Sequence, residues 1–145
     1  VDLAEKLIRS DEGYRERVYL CTAGVPTGGW GHAFHVGSRL PAEIWEAIFR
    51  FDMGEAVRGY ESLRLDLDPV RRAVVVSMIY QLGLDGFIGF RNLNQVLRIS
   101  TLRPLRPEEW TVAAGHMLDS KWARKDTPER ARRLASILRT GEVPG

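Results

Sequence analysis

The chain has 145 residues, with 21 lysines and arginines against 19 aspartates and glutamates and 44% hydrophobic residues, enough for one domain to bury a core without disulfides. A single cysteine excludes an internal disulfide, and one cysteine with three scattered histidines offers no zinc-ligand spacing, so neither metal nor cofactor is expected. The longest apolar run, Val74 to Tyr80 with one serine inside, is far short of the ~20 residues that cross a bilayer, so no membrane insertion is expected.

From the N-terminus, Leu3, Leu7 and Ile8 follow helical spacing in VDLAEKLIRSDEG, and Gly13 is placed to stop that helix as a left-handed cap, leaving Asp11 and Glu12 in its last turn. RERVYL and VPTGGW are strand-like runs separated by Thr22, Ala23 and Gly24, which predicts a hairpin. After the turn signals HVGS, Pro41 opens a helix through PAEIWEAIFRFDMGEAVRGYESL with Ile44, Ile48, Phe51 and Val57 along one face. In DPVRRAVVVSMIYQLG, Asp68 is the N-cap, Pro69 the first helical residue and Gly83 the C-cap, and an apolar surface nearly all round predicts a helix buried on most sides.

GFRNLNQVLR and RPEEWTVAAGHML supply two further helices, the second opened by Pro107. The last, TPERARRLASILRTG, has Thr127 as N-cap, Pro128 and Glu129 in its first turn and Gly141 as its stop. Arg71, Arg72 and the stretch from Lys121 to Arg139 concentrate basic charge that suits a polyanion, a nucleic acid or the bacterial cell wall, or a solvated helix face. Because Leu134, Ile137 and Leu138 are spaced to pack that last helix on a core, no nucleic-acid partner is expected. Val1 begins a charged amphipathic segment instead of an apolar-centred signal peptide.

Two local features carry chemistry. A carboxylate in the last turn of a helix faces the negative end of the macrodipole, which costs ~0.3 to 1 kcal/mol and favours the protonated form that a general acid needs. Glu12 is placed there, and the hairpin that follows offers Cys21 and Thr27, with Gly28, Gly29 and Gly31 allowing close backbone approach. Glycosidases set one carboxylic acid on one side of the bond to be cut and a second group on the other, and a helix end followed by a hairpin can hold such a pair.

The order of LIRSDEGYRERVYLCTAGVPTGGWGH, FDMGEAVRG, DPVRRAVVVSMIYQLGLDGFIGFRNLNQVL and SKWARKDTPERARRLASILRTG resembles the phage-type lysozymes, the endolysin family of the T-even and related tailed phages, over nearly the whole chain. The resemblance implies an α+β, lysozyme-like fold in one domain of two lobes: a hairpin lobe over about 13–40, a linking helix over about 41–59, and a helical lobe from 1–12 and 60–145. It implies cleavage of peptidoglycan between N-acetylmuramic acid and N-acetylglucosamine by a Glu-Asp-Thr set. Glu12 matches the proton donor and Thr27 the residue that holds the attacking water, but the aspartate's place is taken by Cys21. The resemblance further implies an ion pair of His32 with Asp52, an arginine, Arg130, paired to the catalytic glutamate, and substrate contacts from Gly31, Tyr80, Gln81 and Lys121.

An ordinary thiol, with a pKa near ~8.5, is mostly neutral at pH 7 and a poor substitute for a carboxylate. Three activities follow: a hydrolase led by Glu12, a lytic transglycosylase needing Glu12 alone, or an inactive glycan-binding module. A monomeric endolysin made in the host cytoplasm and acting on peptidoglycan in the periplasm is expected, with a tail-associated enzyme as the other setting.

Overall fold

A computed structural model describes residues 3–145, which fall into two compact units, one extending to Trp45 and one from Glu46 to Gly145. The first opens with α1 (Leu3–Glu12), stopped as its sequence predicts: Gly13 takes φ +68° and donates its N–H to the Arg9 carbonyl at 3.0 Å. Three antiparallel strands follow in the order β1 (Arg15–Leu20), β2 (Pro26–Gly29) and β3 (His32–Ala33), with Tyr19 opposite Thr27, Thr27 opposite Ala33, and Gly28 opposite His32. In the β1–β2 turn, Gly24 at φ +77° donates to the Cys21 carbonyl at 2.8 Å and the Cys21 N–H donates to the Val25 carbonyl at 3.0 Å. The third strand is not predicted by the sequence; two residues are too few to show an alternation.

The helix α2 (Ala42–Ser62) starts beside Pro41, whose carbonyl accepts from Ile44 at 3.0 Å. Its apolar stripe departs from expectation. Ile44, Ile48 and Phe51 are 44%, 38% and 65% exposed, and α2 joins the core only through its second half, where Ala56 and Tyr60 are buried and Met53 and Val57 pack against them. Likewise α1, although helically patterned, buries none of its residues.

The second unit is helical: α3 (Pro69–Ile88), α4 (Arg91–Leu97) with a 3-10 turn over Arg98–Thr101, α5 (Pro107–Leu118), a π-helical turn over Trp122–Asp126, and α6 (Pro128–Thr140). A small sheet followed by helices makes the fold α+β. The core is built around Val75, Met78, Phe87, Leu93, Leu97, Met117 and Leu138, each fully buried and each contributing about 1.5–3 kcal/mol by leaving water. Asp68 caps α3 by accepting from the Arg71 N–H at 3.0 Å, but Gly83, at φ 76° and ψ 163°, breaks α3 without ending it, because the chain resumes helix to Ile88. Thr127 occupies the N-cap position of α6 without capping it; its hydroxyl accepts from Gln81 instead.

Arg71 ties α3 to the end of α6. Its Nε donates to the Leu138 carbonyl at 2.6 Å, one terminal nitrogen donates to the Arg139 carbonyl at 3.1 Å, the other pairs with Asp68 at 3.0 Å, and Cζ lies 4.1 Å from the Trp110 ring centroid. A cation on the last carbonyls of a helix complements its dipole. Arg71→Met is expected to destabilise the protein by about 2 kcal/mol in urea titration, and Arg71→Lys by more than half of that, since an ammonium lacks the fork. A loss under ~0.5 kcal/mol for Arg71→Met would show that the tie is not stabilising.

Candidate active site

Glu12 ends α1, and its carboxylate rests on the tip of the β2–β3 hairpin. A Cβ built on Gly31 would lie 2.5 Å from Glu12 Oε2 and 2.7 Å from Cδ, so a side chain there would push the Glu12 carboxyl aside. Gly31 is also left-handed, at φ +78°. The glycine expected to contact substrate is therefore, in this unit, the seat of the acid. Gly31→Ala is expected to lower activity ten- to hundredfold by displacing the carboxylate. Gly29→Ala separates this from backbone strain, because Gly29 is left-handed too, at φ +60°, yet has nothing within 4 Å of a built Cβ. Equal activity loss in the two variants would leave strain as the whole cause.

Cys21 and Thr27 meet where β1 turns into β2. Backbone N–H groups of the turn, Val25 first and then Ala23, hold the half-buried thiol below its ordinary value of 9.0, outweighing the little that desolvation adds, and the Thr27 hydroxyl adds to the effect. This corrects the expectation of an ordinary thiol: the turn stabilises the thiolate. Thr27 is buried, 4% exposed, and its hydroxyl donates to the Val25 carbonyl at 2.9 Å. That hydroxyl has one proton, which goes either to the carbonyl or to the sulfur; in both cases its oxygen keeps lone pairs with which to accept a hydrogen bond. His32, one residue beyond Gly31, sets its ring edge-on to Phe34 at 4.6 Å.

The remaining expected residues belong to the second unit. Tyr80, 40% exposed, stands 5.8 Å from Phe49, an aromatic neighbour that the sequence reading did not single out. Gln81 is held at both ends of its amide: Oε1 accepts from Trp122 Nε1 at 3.0 Å and Nε2 donates to Thr127 Oγ1 at 3.3 Å. One Nε2 hydrogen remains beyond these two bonds. Arg130 donates to Ser77 Oγ at 3.2 Å, and Ser77 lies one turn before Gln81 on α3, so Arg130, Gln81, Thr127 and Trp122 share one face of this unit. Asp52, with Glu55, Arg58 and Tyr80, lines a depression of about 580 Å³.

Lys121, 3.8 Å from Asp126, lines a cleft of about 520 Å³ with Arg91, Asn92, His116 and Asp119. His116 is half-buried here and was missed, since a lone histidine inside an apolar helix pattern carries no local signal. Trp122 was missed as well; a tryptophan between Lys121 and Ala123 does not announce a bond to a glutamine 41 residues away.

The phage lysozyme family model matches residues 9–127, a span that includes every one of these side chains except Arg130. The chain is also 23% identical over 174 aligned positions to a Dictyostelium discoideum protein named "Probable T4-type lysozyme 1", covering 99% of this chain and 97% of that protein.

Proposed function

The chain belongs to the phage lysozyme family, glycosidases of peptidoglycan, and on that premise we propose that it is a muramidase hydrolysing the β-1,4 bond between N-acetylmuramic acid and N-acetylglucosamine, with Cys21 serving where the family has an aspartate. Glu12 gives its proton to the glycosidic oxygen as the C1–O bond breaks and positive charge spreads over the ring. Water held by Thr27 attacks C1 from the opposite face. Its proton passes to the Cys21 thiolate, and exchange with solvent returns both groups to their starting states.

The observation that carries this reading is that one small sheet holds both halves of the chemistry. Thr27 pairs with Ala33, and Gly31, the seat of Glu12, lies two residues before Ala33. The acid and the hydroxyl that would hold the water are thus carried by one strand pair and its turn, an arrangement that supports attack by a water from the face opposite the acid. In the second unit, the cleft of Arg91, His116, Asp119 and Lys121 carries charge of both signs, which suits the carboxylates and amine of a peptide attached to the muramic acid. On this reading the chain works as a monomer on the periplasmic face of the wall.

Digestion of purified sacculi, read by mass spectrometry and by NMR of the new anomeric proton, tests the proposal. The expected product ends in reducing N-acetylmuramic acid with water added and the α configuration formed first. A 1,6-anhydro end would replace hydrolysis by transglycosylation through Glu12 alone. Wall binding without soluble product would leave a glycan-binding module.

A further inference from the structure

Glu12 is the last of a row of side chains along one face of α1: Glu5, Ile8, Arg9 and Glu12 stand at helical spacing. Against that row lies Trp30, the residue next to the glycine on which Glu12 rests. Arg9 Cζ is 4.6 Å from the Trp30 ring centroid, and the Tyr14 ring is 5.2 Å away, tilted by 41°. Glu5 holds Arg9 in place at 2.9 Å. Left-handed glycines on both sides, Gly29 and Gly31, fix the hairpin tip that presents the indole. A shallow cleft of about 390 Å³, lined by Ala4, Glu5, Ile8, Arg9 and Trp30, continues from this point along the helix.

These aromatic rings do not form a core. Trp30 remains 43% exposed and Tyr14 58%, so two amphipathic ring surfaces and an anchored guanidinium–carboxylate pair stay open to solvent beside the proposed acid. Flat apolar rings edged by fixed donors and acceptors match a pyranose, which has an apolar C–H face and a rim of hydroxyl and acetamido groups.

We propose that Trp30, Tyr14 and the Glu5–Arg9 pair form a sugar-binding subsite that takes an N-acetylhexosamine of the glycan strand next to the residue engaged at Glu12. The sugar's C–H face lies on the indole and phenol rings, Arg9 donates to its acetamido oxygen, and Glu5 accepts from a hydroxyl. The subsite rests on the glycan-cleaving reading, and it makes Trp30 and Tyr14 determinants of affinity for long strands, with Glu12 performing the chemistry.

The test uses N-acetylchitotetraose and the Glu12→Gln protein, in which turnover is expected to be negligible during the measurement. With indole-nitrogen-labelled protein, the four tryptophan side-chain signals are followed by NMR, that of Trp30 being assigned from its disappearance in Trp30→Phe. The Trp30 signal is expected to shift in step with binding, and Tyr14→Ala to raise the Kd about five- to tenfold, Trp30→Ala at least as much. A saturating tetraose that leaves the Trp30 signal unmoved would overturn the subsite, as would an unchanged Kd in a folded Tyr14→Ala protein or no binding at millimolar sugar. The two readings fail separately: wall cleavage by the parent protein with a silent Trp30 removes the subsite alone, whereas a responsive Trp30 in a parent that releases nothing from the wall removes the hydrolase alone.

Discussion

Glu12→Gln is expected to lower wall cleavage by about a thousandfold, within the ~10² to 10⁴ that a positioned proton donor contributes. The amide fills the volume that the carboxyl occupies over Gly31 but cannot supply the proton to the leaving oxygen. Stability should hold or rise slightly, because the carboxylate at the C-terminal end of α1 opposes the helix dipole and its removal relieves up to ~1 kcal/mol. Release of reducing ends from sacculi and a thermal melt on the same preparation measure both effects. Activity above a tenth of the parent would take Glu12 out of the proton-donor role. A large fall in the melting temperature would show instead that the contact with Gly31 is chiefly structural.

How much of this was legible in the sequence depends on how far each signal reaches along the chain. Gly13, Asp68 with Pro69, and Gly141 act through backbone groups three or four residues away, and each was readable because the whole interaction fits inside a short window. The β1–β2 turn was readable for the same reason. By contrast, the apolar stripe of α2 shows only that one face is apolar; which of its turns are covered depends on helices far off in the sequence, and only the second half meets them. Gly83 illustrates a mixed case, since the sequence marks the break correctly but not that helix resumes beyond it.

In the candidate site, the order of the motifs singled out Glu12, Cys21 and Thr27, while the surroundings of their neighbours needed three dimensions. Gly31 reads as turn glycine and is the seat of a carboxylate. Gln81, expected from the resemblance as a substrate contact, has its amide spanned by Trp122 and Thr127. Most consequential is Cys21, for which residue type alone implies an ordinary thiol; two amides of its own turn hold it below that ordinary value.

Cys21→Asp is expected to raise the rate of hydrolysis about tenfold or more at pH 5 to 6. The mechanism needs the group at position 21 ionised while Glu12 still carries its proton. A thiol, even one held below 9.0 by the Val25 and Ala23 amides, meets that requirement in a smaller share of molecules at acidic pH than an aspartate, with its ordinary value near ~3.9. On the proposed mechanism the parent works through the thiolate, so the rate limb set by Cys21 is expected to rise as pH rises toward its depressed pKa; in Cys21→Asp that limb moves to lower pH and the optimum follows. The same turn amides that hold the thiolate can accept a carboxylate, which offsets part of the repulsion a second acid brings toward Glu12. Cys21→Ser keeps the size and removes the acidity, and is expected to fall about a hundredfold below the parent. The pH profiles of the three proteins decide the matter: aspartate, serine and the parent at one rate with one profile would place position 21 outside the mechanism, and an aspartate variant slower than the parent would assign the chemistry to sulfur itself as a nucleophile.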